Sequence, residues 1–275
     1  MQKIKIISEP TSEKPFLVIY KPQNLPSAPL SENDESNALG QAAILFPEIK
    51  NVHGRKQIEY GLVHRIDTQT EGLLLIATSQ FFYDSLLEQQ NSGKFIKIYQ
   101  AECISTFGKF EKKGFPPLEE EFHRELESGK SVKISSYFRN YGEGLKTVRP
   151  VTEKSGKAAL KKVGKQKKYE TEAKLISKDG SFYKFQCKIS SGYRHQVRCH
   201  LAWLDFPIAG DKLYNISEEN IKAEEKMRFK ATELHFINPV TKKEESIRLK
   251  NYPEGDLNPL RSCRHYKLKA LTEKQ

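Results

Sequence analysis

Uncharged apolar runs bounded by polar turns dominate the first hundred residues of this 275-residue chain. Residues 16–20 are rich in β-forming side chains and stop at Lys21-Pro22, so they predict a strand followed by extended chain. Residues 73–77 carry no charge and are too short to cross a bilayer, and they predict a buried strand. Residues 95–104 predict another strand.

Helical signals lie between these strands. Residues 38–45 are compatible with a short helix. Residues 79–91 predict a longer helix, because Ser79 is a suitable N-cap and Gly93 can end the helix.

The second half of the chain mixes strands and helices in no regular order. Residues 169–176 and 182–189 predict two strands joined by a turn at Asp179-Gly180. If a helix starts in residues 191–201, Arg194 and Arg198 have helical spacing. There is no regular strand–helix–strand alternation, so the sequence favours an α+β fold.

Three segments depart from this pattern. Residues 105–133 contain helix breakers and a short acidic helix starting near Leu118, with too few apolar residues for a separate core, which indicates an insertion or lid. Residues 154–168 carry seven lysines and predict a basic loop, and residues 261–275 predict a basic tail. We therefore expect one domain over residues 1–260.

The charge balance favours a polyanionic partner. There are 46 Lys and Arg against 35 Asp and Glu, a net charge of +11. Nucleic acid and an anionic membrane surface both fit this charge, as does a basic protein without such a partner. No apolar run is long enough for a membrane helix. The four cysteines are scattered, which favours reduced thiols in a cytoplasm over disulfides or a zinc ribbon.

The segment from His64 to Gly72 is the best candidate for chemistry. It places Asp67 beside Arg65 in a polar turn that leads directly into the buried strand. An acid at the edge of a buried strand is held rigidly and partly desolvated, which suits a catalytic group. The alternative is an exposed turn in which the carboxylate bonds its own backbone.

Residues 191–201 hold two arginines and two histidines. His195 and His200 are five apart, which is wrong for two ligands on one helix face. With His64 they could form a zinc site, but no Glu or Cys completes a known pattern, so we expect no metal. A hydrogen-bonded structural role is the simpler interpretation of His195 and His200.

Five segments resemble, in the same order, motifs of the RluA-like RNA pseudouridine synthases. They are Lys21-Pro22 (the Lys-Pro loop), residues 64–72 (His-Arg-Leu-Asp-x-x-Thr-Ser-Gly), residues 97–101 (Lys-x-Tyr-x-Ala), residues 191–200 (Thr-Gly-Arg-x-His-Gln-Ile-Arg-x-His) and residues 206–214 (Pro-Ile-x-Gly-Asp-x-x-Tyr). Several such motifs in the family's order make chance similarity a poor explanation.

The chain departs from the family pattern at three places. Glu71 stands where the family has Ser, which adds a second acid four residues from Asp67. Tyr193 and Arg194 stand where Arg and Thr are usual. Asn24 replaces a Gly in the Lys-Pro loop, and Asn tolerates similar backbone angles.

The resemblance implies the pseudouridine synthase catalytic fold, an α+β fold with a central mixed, mostly antiparallel sheet and flanking helices. It implies a single catalytic domain, and we expect no separate RNA-binding domain before Lys21. The implied reaction converts uridine to pseudouridine in structured ribosomal or transfer RNA. It needs no cofactor and no metal. The expected partner is RNA, with no membrane; the expected protein is a cytoplasmic monomer.

The resemblance also assigns roles to residues. Asp67 would be the catalytic carboxylate, acting either as a nucleophile or as a base, and Arg198 would be the cation that keeps it charged. Tyr99 would stack on the target base, although a tyrosine half-buried in a sheet is the simpler interpretation without the family. The expected RNA-binding residues are Arg65, His64, Arg194, His195, Lys21, Lys97, Lys161, Lys162 and Lys165.

Three other functions compete with this interpretation. A non-catalytic RNA-binding or RNA-folding protein on the same scaffold would work without Asp67. A metal-dependent RNA hydrolase built on the histidines would be abolished by chelation. The remaining alternative is a basic soluble α+β domain of unknown role.

Overall fold

The computed structural model describes residues 2–31, 34–107, 113–119, 121–164, 167–215 and 226–249. The strands are β1 Lys5–Ser8, β2 Phe16–Lys21, β3 Glu71–Ala77, β4 Ile96–Ile104, β5 Ser131–Tyr141, β6 Thr147–Val151, β7 Tyr169–Asp179, β8 Phe182–Ile189, β9 Phe229–Ile237 and β10 Glu244–Arg248. The α-helices are α1 Ala38–Leu45, α2 Gln80–Asn91, α3 Glu121–Glu127, α4 Lys157–Leu160 and α5 Gln196–Trp203. Lys165 and the predicted basic tail lie outside the described residues.

The strands form one large sheet in the order β1-β2-β3-β9-β4-β8-β7-β5-β6, with β10 paired to β9. Among the described strands, the β3–β9 pair is parallel and every other pair is antiparallel. This confirms the predicted α+β class with a mixed, mostly antiparallel sheet.

Strands β2 and β3 are apolar throughout because both of their faces are covered. On β3, Leu73 and Leu75 pack on one side with Phe82 of α2, while Leu74 and Ile76 pack on the other side with Leu39 of α1. A strand buried on both faces has no polar face to alternate with. The predicted strands β2, β3 and β4 are confirmed, as are both helices.

Helix α2 begins where its cap predicts. The Ser79 Oγ accepts a hydrogen bond from the Phe82 amide, which satisfies one of the free donors of the first turn. Asn24 has a φ of 60°, so the Lys-Pro loop does use the left-handed conformation that Asn shares with Gly.

Gly72 permits the parallel pairing of β3 with β9. Its φ is +122°, and a Cβ on it would lie 2.2 Å from the Ala231 carbonyl oxygen. Only glycine allows two backbones to approach this closely here. The turn that holds Asp67 is thereby fixed beside β9.

The sequence did not predict β5, β6, β9 or β10, and it placed α3 three residues too early. The described part of residues 105–133 packs on the core: Leu126 is buried, and the Trp203 indole N–H donates to the Pro116 carbonyl at 2.9 Å. The basic segment is not a plain loop, because it contains α4.

None of the described helices is both long and apolar enough to span a membrane. The described cysteines, Cys103, Cys187 and Cys199, are buried free thiols, as the sequence predicts for them.

Candidate active site

A cleft of about 880 Å³ opens beside the turn that precedes β3. Its walls include four parts of the chain that are distant in sequence: the Lys-Pro loop, the Asp67 turn, β4 and the start of α5. Asp67, Tyr99 and Arg198 all line it. The three residues that the family resemblance singles out therefore converge.

Asp67 sits in a tight turn closed by the Thr70 amide, which donates to the Asp67 carbonyl at 3.0 Å. Its carboxylate bonds Arg198 instead of its own backbone, so the alternative of a self-bonded turn is wrong. The side chain is 26% exposed. Among the described residues no donor bonds Oδ1, and this oxygen is available to a substrate.

Arg198 connects Asp67 to a second carboxylate. Its Nη1 donates to Asp67 Oδ2 at 2.8 Å, while Nε and Nη2 donate to the two oxygens of Asp211 at 2.7 and 2.8 Å. Burial alone would lower the pKa of Arg198, but the hydrogen bonds and charge of Asp211, followed by Asp67, raise it above its usual range. The guanidinium is a fixed cation, and its contact stabilises negative charge on Asp67.

Asp211 is itself held from several sides. Its side chain is inaccessible to solvent, and Oδ1 also accepts from the backbone amides of Leu213 and Tyr214. These bonds orient the carboxylate that grips Arg198. Asp211 lies within residues 206–214, which resemble a family motif, but nothing local in the sequence indicates that it contacts Arg198.

Tyr99 lies on β4 and is 6% exposed. Its ring stacks on Phe229 of β9, with centroids 5.1 Å apart and planes at 17°. Burial, then the negative charge of Asp67, raises the pKa of the Tyr99 hydroxyl above its usual range, so the phenol is protonated at neutral pH. The stacking on Phe229 was missed because β9 itself was not predicted.

His195 supports the site as a neutral residue. It precedes α5 in the left-handed conformation, with Nδ1 3.2 Å from the Tyr214 hydroxyl and Nε2 3.9 Å from Asp67 Oδ2. Burial lowers the pKa of His195 to about 4, although Asp67 acts in the opposite direction. Its hydrogen bond fits the structural role that the sequence favoured.

His200 is fully buried within the fold. Its ring nitrogens bond the hydroxyls of Ser136 and Thr171, at 2.9 and 2.8 Å. The predicted structural role is confirmed. In the described part of the chain, no three His, Cys, Asp or Glu residues gather as a metal-ligand set would.

Lys21 is fully buried, which contradicts the expectation that it contacts RNA. Its Nζ donates to the carbonyls of Pro22, Leu25 and Thr68. Burial lowers the pKa of Lys21 to about 8, although the charges of Asp67 and Glu71 act in the opposite direction. The ammonium ties the Lys-Pro loop to the turn that carries Asp67.

Two predicted RNA contacts, Arg65 and Arg194, do lie at the cleft. Arg65 is 59% exposed, and its Nη1 pairs with Glu59 at 2.9 Å. Arg194 holds the β5–β6 hairpin through Asn140 Oδ1 at 2.9 Å. The predicted helical spacing of Arg194 with Arg198 is wrong, because α5 begins only at Gln196.

His64 and Lys97 also line the cleft, but as buried groups, with exposures of 7% and 3%. The described lysines of residues 154–168 do not line the cleft. Lys161 and Lys162 are exposed and do not line the cleft. Lys154 and Lys168 pair with Glu119 and Glu153.

Glu71, the departure from the family motif, belongs to the sheet. It accepts a hydrogen bond from the Tyr20 hydroxyl at 2.7 Å and pairs with Lys230 at 2.9 Å. These two contacts join β2, β3 and β9 at the edge of the site. The negative charge of Glu71 is thus balanced by Lys230 and hydrogen-bonded by Tyr20.

The sequence of residues 15–203 matches the RNA pseudouridylate synthase family. The fold and the cleft described above agree with this match. The chain belongs to that family.

Relatives carry the same description. An uncharacterized RNA pseudouridine synthase of Helicobacter pylori (strain J99) is 28% identical over 249 residues, which are 90% of this chain and 66% of that protein. The ribosomal large subunit pseudouridine synthase D of Buchnera aphidicola (subsp. Baizongia pistaciae) is 29% identical over 195 residues, 66% of this chain and 50% of that protein. The chain covers between half and two thirds of these relatives.

Solved structures share the fold. Human RNA pseudouridylate synthase domain containing 1 superposes with a TM-score of 0.60 at 18% identity, over 90% of this chain and 84% of that one. Human RNA pseudouridylate synthase domain containing 4 superposes with a TM-score of 0.58 at 18% identity, over 91% of this chain and 89% of that one.

Proposed function

We propose that this protein isomerises uridine to pseudouridine in RNA, with Asp67 as the catalytic carboxylate. The observation that carries the proposal is the Arg198–Asp67 contact of 2.8 Å at the base of a basic cleft that Tyr99 also lines. A carboxylate held charged by a buried guanidinium, with one oxygen free, is equipped to attack or to remove a proton.

The reaction is an internal rearrangement. The bond between N1 of uracil and the ribose breaks, the base turns, and a bond forms between C5 and the same ribose carbon. The proton on C5 is lost and N1 gains one, so atoms balance without an oxidant or a further substrate. Asp67 acts either by covalent attack or by taking a ribose proton, and both routes need its ionised form.

Tyr99 and Arg65 fit the handling of the base. Tyr99 offers an aromatic surface beside Asp67, with a protonated hydroxyl as a polar contact. Arg65 is exposed at the rim, where its planar cation can hold a phosphate or fill the place of a uridine turned out of a stem. A uridine in a loop costs less free energy to place in the active site than a uridine in a stem, because it is not paired. This favours structured RNA with unpaired bases as the substrate.

Ribosomal RNA is the first candidate among substrates, because one relative is named a ribosomal large subunit synthase. Transfer RNA is the second. Residues 1–260 form the proposed catalytic domain, and the buried free thiols suit work in the cytoplasm. Exposed lysines such as Lys161 and Lys162 add affinity without sequence preference, together with Lys165.

The test compares pseudouridine maps of total RNA from strains with and without the gene, complemented by wild type, Asp67→Asn or Asp179→Asn. We expect one or more sites to vanish in the deletion, return with wild type and the exposed control Asp179→Asn, and stay absent with Asp67→Asn. An unchanged map in the deletion strain contradicts the proposal and favours a non-catalytic RNA-binding protein.

A further inference from the structure

Two hydrogen-bond donors, each on a buried residue that lines the cleft, have no acceptor among the described residues. Lys97 is 3% exposed, and within the described residues its ammonium has no hydrogen bond and no carboxylate partner. His64 is 7% exposed, and its buried Nδ1 has no hydrogen-bond partner in the described part of the chain. Buried polar groups are normally satisfied, and a buried cation almost always is.

The tautomer of His64 makes its Nδ1 a donor. The Leu75 amide donates to His64 Nε2 at 3.3 Å, so Nε2 carries no proton. In a neutral imidazole the proton is then on Nδ1. Burial, followed by the charge of Lys97, lowers the pKa of His64 to about 3, so the ring is neutral at physiological pH. Lys97 Nζ and His64 Nδ1 are therefore both donors that require a hydrogen-bond acceptor.

The two donors belong to one place. Both contact the ring of Phe95: the His64 ring packs edge-on with centroids 5.5 Å apart, and Lys97 Nζ lies 4.8 Å from the ring centroid. The charged groups that act on Lys97 are Arg55 and Lys167, both positive. The acid of this part of the cleft, Glu59, is already paired with Arg65.

The position of this pair suits a nucleotide bound in the active site. Lys97 and Tyr99 are two residues apart on β4 and face the same side, which separates them by about 7 Å. A group at Lys97 is thus the neighbour of a base stacked on Tyr99. An acceptor that also brings negative charge among three cations is a phosphate oxygen.

We infer that Lys97 and His64 form a subsite for one backbone phosphate of the RNA, next to the uridine at Tyr99. The inference rests on the proposed function for its ligand. Burial and the charges of Arg55 and Lys167 lower the pKa of Lys97 to about 7, and a bound phosphate supplies the charge that the protein itself does not. The subsite positions the nucleotide and takes no part in bond making.

The test measures binding of a labelled single-stranded RNA of mixed sequence to wild type, Lys97→Met, Lys97→Gln and the control Lys243→Met, over a series of salt concentrations. Lys243 is exposed in the turn before β10 and does not line the cleft. Loss of one phosphate contact should weaken binding about tenfold and flatten the slope of log affinity against log salt by about 0.7. Both Lys97 variants should show this, and Lys243→Met should match wild type.

The possible outcomes separate this inference from the proposed function. Wild-type affinity and slope in the Lys97 variants overturn the subsite. Weaker binding with an unchanged slope also overturns it, because the lost partner is then not a phosphate. If wild type forms no pseudouridine in RNA from the deletion strain while the Lys97 variants still lose the phosphate contact, the proposed function fails and the subsite stands.

Discussion

Arg198 holds Asp211 with two nitrogens and Asp67 with one, so the two carboxylates meet on a single guanidinium. Asp211 is inaccessible to solvent, whereas Asp67 is 26% exposed. The buried acid fixes the cation, and the cation presents the exposed acid to the cleft. We therefore expect activity to depend on Asp211, although its buried side chain is closed to solvent.

Asp211→Asn should lower kcat by about 10- to 100-fold and leave RNA affinity unchanged, because the amide cannot accept both Arg198 bonds and the guanidinium loses its orientation. It should also destabilise the fold by about 3 kcal/mol, since a buried ion pair loses one partner. Turnover, RNA binding and denaturant unfolding on the same preparation measure all three. Asp179→Asn, at the exposed end of β7, is the matched control. A rise in KM with kcat intact would place Asp211 in RNA binding instead.

Arg198→Lys should lower kcat at least 100-fold although the charge is kept. A single ammonium nitrogen cannot reproduce the three contacts at 2.7–2.8 Å that bridge the two acids. The measurement is single-turnover pseudouridine formation with saturating enzyme. If Arg198→Lys keeps most of the activity, a positive charge at this position is sufficient for catalysis, and the three guanidinium contacts are not required.

Lys97→Met should stabilise the protein at pH 6.5 by an amount on the order of 3–5 kcal/mol, and the difference should shrink as pH rises toward 10. The folded pKa of Lys97 is about 7 and the ordinary value is 10.5. Between these values the unfolded chain holds a proton that the folded chain has released, so wild-type stability rises with pH. Below pH 7 both states are protonated, and the full cost of burying the charge is present.

Urea unfolding of both proteins at several pH values between 6.5 and 10 tests this. Lys21, with a folded pKa of about 8, titrates in the same window, but it is common to both proteins and cancels in the difference. A Lys97→Met protein that is less stable than wild type at pH 6.5 would show that the ammonium has a stabilising partner.

Gly72→Ala should destabilise the fold by about 3 kcal/mol or more. The new methyl would lie 2.2 Å from the Ala231 carbonyl oxygen, and the φ of +122° is strained for any side chain. Thermal unfolding checks this, with Gly156→Ala as the control, since a Cβ there meets no atom within 4 Å. An unchanged melting temperature for Gly72→Ala would mean that β3 and β9 separate at little cost.

The sequence by itself determined the elements whose pattern is local. A run such as Leu73–Ile76 is apolar whatever lies around it, and the Ser79 cap acts within one turn of its own helix. The ordered motifs also pointed to Asp67, Tyr99 and Arg198, and the structure places all three in one cleft. The roles proposed for them still await the mutants.

Only the tertiary structure determined which side chains contact one another. Lys21, Lys97 and Lys161 look alike in the sequence. In the structure the first donates to backbone carbonyls, the second is buried with no hydrogen-bond acceptor among the described residues, and the third is exposed. Asp211 became the anchor of Arg198 because a turn 13 residues later folds back onto α5. The charge state and reach of a side chain depend on burial and on partners brought from distant segments, and no local pattern encodes them.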